Sequence, residues 1–400
     1  MSNNKKSGSL CPVSKRCGGC TMIDIPYAEQ LEGKQKQVEE LIGQYGKVDP
    51  ILKMKNPDHY RYKVTSVFGR DRKGKPVCGI YRAGTHEVVP VKACRLEDLR
   101  ADRIVQTIYS LIASFKIRIY DEDEGTGLLR YVQVRTTRAT RQIMVTLVTA
   151  GPVIPSGKKF VNAILHRHPE ITTIIQNIND KQTTMVLGDR EKILFGPGYI
   201  EDVLCGKRFR LSSRSFYQVN PLQTEKLYNV ALDYAGFSGK ERILDAYCGT
   251  GTIGIIASDR CREVWGVELN PEAVRDAKYN AAANGAGNVK IFCNDAGRFM
   301  MDLAARRESV DILFMDPPRS GASEEFLDAV LTLRPRKIVY ISCEPTTLAR
   351  DLEILCGETT GEDGESIIKG AYEMKKAVPV DMFPYTEHVE CVVLMLRKNT

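Results

Sequence analysis

The sequence has no long apolar run, which excludes a protein built on membrane-spanning helices. Such a helix needs roughly 18 or more consecutive apolar residues, and no segment of the 400 residues comes near this length. The opening segment, MSNNKKSGSL, also lacks the apolar core of a secretory signal peptide. We therefore expect a cytoplasmic protein that has no membrane partner.

Disulfide bonds are also expected to be absent, although the chain has 12 cysteines. Cytoplasmic thiols are kept reduced, so clustered cysteines there point to metal binding or catalysis. Cys11, Cys17 and Cys20 lie together in CPVSKRCGGC, and Cys94 follows a β-like segment that would bring it back. Four thiolates in this C-x5-C-x2-C…C pattern can hold zinc or a four-iron cluster. The spacing alone leaves both metals open.

A strong excess of one charge is missing too, since the net charge is only +7. The positive residues are nevertheless grouped in three stretches, 61–75, 128–141 and 206–214, with aromatic residues in or beside them. Basic stretches interleaved with aromatic rings suit a polyanion whose bases can stack. The pattern favours nucleic acid over a solvated strand face, and it does not distinguish RNA from DNA.

The periodicity of the chain changes twice, and no internal repeat is apparent. Residues 27–45 have the apolar stripe of an amphipathic helix. Residues 60–210 contain short β-like runs, with helices expected near 98–114 and 158–168. After about residue 215, apolar runs alternate with helix-length stretches, as in a doubly wound parallel sheet. We predict an N-terminal cysteine-bearing segment with a helix (1–59), a β-rich α+β RNA-binding domain carrying Cys94 (60–212), and a doubly wound α/β domain (213–400).

A glycine-rich segment, DAYCGTGTIG (245–254), follows a predicted strand and opens a helix. Its G-x-G-x-x-G spacing, beginning at Gly249, lets the backbone pass close to a ligand, and it fits a dinucleotide or S-adenosylmethionine (SAM). Acidic residues end this strand and the next two, at Asp245, Glu268 and Asp295. This favours the methyl donor, with Glu268 placed for the ribose hydroxyls and Asp295 placed where adenine is normally held.

Three further polar residues stand at predicted strand ends. Asp316 ends VDILFMD before two prolines, and Cys343 ends KIVYISC at the start of a helix whose positive end would favour the thiolate. A thiolate beside a methyl donor suggests covalent activation of a carbon that is not nucleophilic by itself, such as C5 of a pyrimidine. Glu390, in HVECVV, is a candidate base for removing the C5 proton if burial raises its pKa.

Together these motifs resemble one family over nearly the whole chain. SFYQVNPLQTEKLY, DAYCGTGTIG, MDPPRSG, YISCEPTTLARDL and DMFPYTEHVE resemble the motif series of the SAM-dependent RNA uracil-C5 methyltransferases, as do CPVSKRCGGC and GIYRAGTHEVVPVKAC. The resemblance implies a C-terminal class I SAM-methyltransferase domain with a Rossmann-like fold. It also implies methylation of a uridine in RNA to 5-methyluridine, with 23S rRNA favoured over tRNA and no stable protein partner.

The resemblance also implies roles for individual residues. Cys343 would be the nucleophile and Glu390 the proton acceptor. The SAM-site residues implied are Gln218, Tyr247, Glu268 and Asp316, the last also lying near the target uracil.

For the cysteines, the resemblance implies a [4Fe–4S] cluster. Its four ligands would be Cys11, Cys17, Cys20 and Cys94. No step of the methyl transfer needs an electron, so we expect this cluster to be a structural staple that shapes the RNA surface beside Arg61 and Lys63.

The chain departs from the family pattern in two places. Larger members carry an RNA-binding barrel before the cysteines, whereas ten residues precede Cys11 here, so we expect that barrel to be absent and RNA choice to rest on the central domain. Tyr62 stands where the family more often has a small polar residue, so an RNA contact there would differ.

Four alternatives fit parts of the pattern. An amino-group methyltransferase also uses a D-P-P loop, but it would remain active without Cys343. Radical-SAM chemistry is disfavoured because Cys11 and Cys17 enclose five residues rather than three. RNA cytosine-C5 enzymes usually place a second cysteine after the first proline of the Asp316 loop, where this chain has Pro318. A non-enzymatic RNA-binding protein has no reason to combine the glycine loop with Cys343.

Overall fold

The structure is a computed structural model that describes residues 10–71, 73–360 and 367–398. Residues 1–9, which make up most of the segment expected to lack a signal-peptide core, lie outside this description. Within the described ranges, none of the helices combines the length and the apolar character needed to cross a membrane.

The helices of the described residues include the three predicted in the first half of the chain. In chain order they are α1 (Ser14–Cys17), α2 (Tyr27–Ile42), α3 (Leu99–Leu111), α4 (Gly157–Arg167), α5 (Pro221–Ala235), α6 (Thr252–Ala257), α7 (Pro271–Ala283), α8 (Ala296–Ala305), α9 (Glu324–Leu333) and α10 (Pro345–Cys356).

The strands fall into two large sheets and two short hairpins. In chain order they are β1 (Lys47–Val48), β2 (Lys63–Arg70), β3 (Pro76–Tyr81), β4 (Val88–Pro90), β5 (Leu129–Thr136), β6 (Ile143–Thr149), β7 (Thr173–Ile178), β8 (Arg190–Phe195), β9 (Ile200–Leu204), β10 (Lys207–Leu211), β11 (Arg242–Ala246), β12 (Glu263–Glu268), β13 (Val289–Cys293), β14 (Ile312–Met315), β15 (Lys337–Ser342), β16 (Glu358–Thr360), β17 (Ile367–Lys369), β18 (Tyr372–Val380) and β19 (Glu390–Arg397).

The C-terminal sheet confirms the predicted doubly wound α/β fold. Its order is β1-β18-β19-β15-β14-β11-β12-β13, and β11 to β15 are parallel. Alternate residues face opposite layers, so that Leu244 and Leu313 pack in one core while Ile243 and Ile312 pack in the other. This two-sided burial explains why these strands read as continuous apolar runs in the sequence.

One part of this sheet differs from the parallel arrangement predicted. β19 runs antiparallel to both β15 and β18. The apolar pattern did not indicate β18, whose burial alternates near Tyr372 and becomes continuous toward Val380. The short connection between β18 and β19 can form only an antiparallel hairpin, since parallel neighbours need a longer crossover.

The central region confirms the predicted α+β character. Its sheet has the order β4-β3-β2-β5-β6-β7-β8, antiparallel except for β6 and β7, which α4 connects. α3 and α4 cover one face, where Ile104, Ile108 and Phe160 pack against Val132 and Val134. The opposite face of β2 and β5 is polar and lines a cavity.

The N-terminal helix packs on the C-terminal sheet rather than standing apart from it. Val38 and Ile42 of α2 belong to the same core as the C-terminal strands, and β1 extends that sheet beside β18. Lys34 of α2 is fully buried, and its Nζ lies 2.6 Å from Oδ1 of Asp381, just after β18. The Tyr27 hydroxyl donates to the other oxygen of Asp381 at 2.6 Å. These contacts fix the hairpin between β18 and β19.

Removal of the Lys34 charge should destabilise the fold strongly. Lys34→Met leaves the Asp381 carboxylate buried without its cation, which typically costs about 3–5 kcal/mol in the free energy of unfolding. Lys36→Met is the matched control on the same helix, because the Lys36–Glu40 pair is exposed and worth less than about 0.5 kcal/mol. Urea denaturation of both variants measures the difference, and equal losses would contradict it.

Candidate active site

Three predicted residues meet at one edge of the C-terminal sheet. Asp316 follows β14, and Cys343 follows the neighbouring strand β15. The antiparallel register pairs Ser342 with Cys391, and Cys343 and Glu390 are the residues that come next to this pair in the two segments. The two side chains are close enough for Glu390 to raise the pKa of the Cys343 thiol. The hairpin places the candidate base beside the candidate nucleophile, although 46 residues separate them in the sequence.

The Glu390 carboxyl is poised to accept a proton near neutral pH. It is 2% exposed, and burial raises its pKa to about 8, assisted by the nearby Asp316 and opposed by Arg319. Its Oε2 is buried without a hydrogen-bond partner among the described residues. A buried oxygen of this kind marks a place where a ligand or water group would bind.

The pKa of Cys343 moves in the direction opposite to the one predicted from its helix. Burial raises the pKa of this thiol to about 11, and the Glu390 and Asp316 carboxyls raise it further, while Arg319 acts to lower it. The positive end of α10 does not outweigh these effects. The expectation of a depressed thiol pKa is therefore wrong for this protein without its ligands.

A pocket beside this edge collects four of the predicted cofactor residues. Gln218, Tyr247, Gly249 and Asp316 all line it. Burial raises the pKa of Asp316 to about 7. Tyr247 has a φ of 61°, a left-handed conformation that is strained for a residue with a Cβ, and its ring packs 5.0 Å from that of Phe326.

Glu268 and Asp295 lie outside the lining of this pocket. The Glu268 carboxylate accepts hydrogen bonds from the backbone N–H of Gly249 at 3.0 Å and of Asn270 at 2.8 Å, so it holds the glycine loop in place. Asp295 is exposed and caps α8 by accepting from the Arg298 N–H.

The four cysteines of the N-terminal region line one cavity of about 670 Å³. Among residues 10–71, 73–360 and 367–398, however, no three His, Cys, Asp or Glu side chains are arranged to hold a metal ion. The structure brings the four thiols to one cavity but does not show the predicted cluster. No disulfide joins any of the 12 cysteines, all of which lie in the described residues.

Several residues that support the site were not singled out from the sequence. The Asn220 amide donates to the Met382 carbonyl at 2.8 Å, and the Gln223 amide donates to the Asp381 carbonyl at 2.9 Å. Both hold the loop before Glu390. The N-P-L-Q segment was quoted for its family likeness, but only the long-range contacts reveal this role. Arg319 was missed as well, although it directly follows the D-P-P motif.

The alkylation of Cys343 should report the raised thiol pKa. With a pKa of about 11, its rate with iodoacetamide should rise about tenfold per unit between about pH 7 and 9, because only the thiolate reacts. Glu390→Gln should react faster than the wild type at about pH 9, where Glu390 is charged, and the two should converge below about pH 7. Mass spectrometry of the Cys343 peptide measures these rates.

Glu344→Gln is the control for that measurement, because Glu344 adjoins Cys343 in the chain but does not contribute to its raised pKa. A wild-type rate that does not change with pH above 7 would mean that the thiolate already predominates there.

Comparison with known proteins identifies close relatives. The model of the tRNA (uracil-5-)-methyltransferase family matches residues 26–398. An uncharacterized RNA methyltransferase of Halalkalibacterium halodurans is 39% identical over 394 residues, covering 97% of this chain and 83% of the relative. An uncharacterized RNA methyltransferase of Clostridium acetobutylicum is 40% identical over 395 residues, covering 97% of this chain and 83% of the relative.

The solved structures include one with the same overall fold. The structure of Pyrococcus abyssi tRNA (uracil-54, C5)-methyltransferase, in complex with S-adenosyl-L-homocysteine, matches with a TM-score of 0.76 and 24% identity, covering 94% of this chain and 86% of that one. The family match and the relatives show that the protein is an enzyme, a SAM-dependent RNA methyltransferase. The chain belongs to the tRNA (uracil-5-)-methyltransferase family.

Proposed function

We propose that the protein transfers a methyl group from SAM to C5 of a uridine in RNA, through a covalent bond between Cys343 and C6 of the base. The observation that supports this most directly is the proximity of Cys343 to Glu390 and Asp316, at the end of the paired strands β15 and β19. An amino-group methyltransferase would need neither the thiol nor a carboxyl opposite to it.

In the first step, Cys343 attacks the base. After the thiol has released its proton to water, the sulfur donates an electron pair to C6, and the C5–C6 π electrons move toward C5 and the O4 carbonyl. A neutral carboxyl at Asp316 favours the thiolate that this step requires, because its charged form raises the Cys343 pKa. Glu390 releases its own proton to water before the last step, in which it must be charged to act as the base.

In the second step, the electrons at C5 form the new bond. Bound SAM supplies an electrophilic methyl group on its sulfonium sulfur. When C5 bonds to that carbon, the electrons of the old carbon–sulfur bond remain on the sulfur of the donor. Glu390 then accepts the C5 proton on its unpartnered Oε2. The C5–C6 double bond re-forms, and the electrons of the C6–sulfur bond return to Cys343.

The cofactor pocket supports this arrangement. Gln218, Tyr247, Gly249 and Asp316 would contact the methyl donor, because they line the pocket beside the nucleophile. Glu268 keeps acceptor capacity for ribose hydroxyls besides the two N–H groups that it holds. We place the adenine at the neighbouring strand end, where Asp295 lies.

The RNA that we propose as substrate is 23S rRNA, and tRNA is the second candidate. The motif resemblance favours 23S rRNA. The names of the matching family and of the Pyrococcus abyssi protein, which both mention tRNA, support tRNA. The mapping of 5-methyluridine in both RNAs, from cells with and without the gene, distinguishes them. If cells without the gene keep all 5-methyluridine in both RNAs, the proposed reaction is refuted.

Glu390→Gln should trap a covalent protein–RNA complex. The amide cannot accept the C5 proton, so attack by Cys343 and methyl transfer should proceed while release slows by roughly 10²-fold or more, as when a general base is removed. Denaturing gel electrophoresis of enzyme incubated with SAM and substrate RNA measures the complex. Rapid turnover by this variant would remove Glu390 from the mechanism.

The control is Cys343→Ala, which should form no complex, even with RNA that contains 5-fluorouridine, whose C5–F bond blocks the last proton removal. An undiminished adduct in this variant would refute the role of Cys343.

We further propose that Cys11, Cys17, Cys20 and Cys94 hold a [4Fe–4S] cluster in the 670 Å³ cavity that all four line. All four residues are cysteines, and cysteine thiolates are the ligands that such clusters use. The cluster would join the segment 1–59 to the central domain 60–212, while residues 213–400 supply the methyl-transfer site. Arg61 lies close enough to Cys20 to oppose the rise in its pKa, so a positive charge already faces this group of thiols.

Cys94→Ser should lose iron. Protein purified without oxygen should contain iron and acid-labile sulfide in equal amounts, and the variant should contain little of either because one of four ligands is gone. Cys78→Ser is the control, since Cys78 is buried in β3 and does not line the cavity. Zinc in place of iron in the wild type would show that the cluster is absent.

A further inference from the structure

Strands β2 and β5 place two positive side chains directly opposite each other. The register pairs Lys63 with Arg135, so both point to the same face of the central sheet. Like charges in this cross-strand position destabilise a sheet. Among the described residues, the Lys63 ammonium forms no ion pair or hydrogen bond that would offset the repulsion.

Arg135 adds a buried donor without a partner. It is 4% exposed, and one of its terminal nitrogens donates to the Ser215 carbonyl at 2.6 Å. Within the described part of the chain, the other, Nη1, has no hydrogen-bond partner, and neither does the buried Tyr217 hydroxyl. Lys63, Arg135 and Tyr217 line one small cavity. Donors of all three residues therefore converge there.

One carboxylate, that of Asp202, lines this cavity, and Asp276 acts on the charge of Arg135, but both accept hydrogen bonds from other groups. Asp202 accepts the backbone N–H groups of Arg138 and Ala139. Asp276 accepts the hydroxyls of two serines at 2.8 and 2.6 Å. Burial and the charges of Arg135 and Arg61 lower the pKa of Lys63 to about 8, which is the mark of positive charge that has not been neutralised.

We propose that Lys63 and Arg135 form an anion site that takes one phosphodiester of the bound RNA. The phosphate would lie in the 670 Å³ cavity, which Lys63 also lines. Arg135 and Tyr217 do not line that cavity but line the cavity of about 10 Å³ behind Lys63, which is too small for a phosphate, so Arg135 would contribute through its charge. Gln218 lines both this cavity and the cofactor pocket, so the phosphate would lie next to the nucleotide presented to Cys343.

Two other anions are less well matched to the position. The carboxylate of SAM would lie near the glycine loop. Because no residue of 245–254 lines the Lys63–Arg135 cavity, this carboxylate does not match the position. Arg61 would face the charge of an iron–sulfur cluster, because it acts on the pKa of Cys20, whereas Lys63 is not among the groups that do. The inference rests on the proposed function only in requiring that RNA is the substrate.

Lys63→Met in the full-length protein tests the site with a short oligouridylate as the RNA probe. The variant should bind about tenfold more weakly, and the slope of log affinity against log salt should become shallower by about 0.7, the value for one phosphate of a single strand. Lys192→Met is the matched control on the exposed strand β8 and should keep the wild-type slope. An unchanged slope in Lys63→Met, or an equal change in the control, would overturn the inference.

A second measurement shows that the variant is folded and separates the other anions. Because a like-charge pair is removed, the Tm of Lys63→Met should rise, and inorganic phosphate should raise the Tm of the wild type but not of the variant. SAM affinity and iron content should stay as in the wild type. If SAM affinity or iron content falls while the salt slope is unchanged, Lys63 and Arg135 serve SAM or the iron–sulfur cluster instead of RNA. The inference is then wrong.

The two proposals can fail separately. If the wild type forms the Cys343 adduct but Lys63→Met keeps its salt slope, only the phosphate site is refuted. If the slope changes but no adduct forms in the wild type, the phosphate site stands and the covalent mechanism is refuted.

Discussion

The buried ion pair between Lys34 and Asp381 determines where the candidate base stands. Asp381 directly follows Val380, which pairs with Glu390 in the hairpin, so a fixed Asp381 fixes the end of the hairpin that carries the base. The other support comes from Tyr27, whose hydroxyl binds the same carboxylate. A catalytic edge formed by the last strands of the chain therefore depends on a helix near its beginning.

Desolvation shapes the chemistry of this edge. Asp245, Asp316 and Glu390 all have raised pKa values, to about 7, 7 and 8, with burial as the leading cause in each case. These acids are therefore partly neutral at physiological pH, which limits the repulsion of a polyanionic substrate and of the thiolate at Cys343. The same burial makes each carboxyl a better proton acceptor when it is charged.

Among the buried polar atoms that lack a hydrogen-bond partner within the described residues, two lie at the sites proposed above. Glu390 Oε2 faces the methyl-transfer site, and Arg135 Nη1 faces the polar side of the central sheet. Folded proteins seldom leave such atoms unsatisfied, so both positions mark where a bound molecule would complete the hydrogen bonding. The Glu390 site offers an acceptor, which suits a proton of the base. The Arg135 site offers donors, which suit a phosphate oxygen. The segment 215–219 connects them, since Ser215 contacts Arg135 and Gln218 lines both pockets.

The sequence alone determined the doubly wound fold, the α+β central region and the residues at the strand ends, because apolar periodicity and short motifs are local properties. It did not identify β18 or the reversed direction of β19, since strand direction depends on the hairpin and not on composition. It assigned Cys343 a lowered pKa because a helix start is visible locally, while the burial and the facing carboxyls that raise the pKa are not. Only the tertiary structure decided that Glu390 lies opposite Cys343, that Lys34 neutralises Asp381, and that Lys63 faces Arg135. All three pairings join segments distant in the chain, and their energies arise from the exclusion of water that follows when those segments pack together.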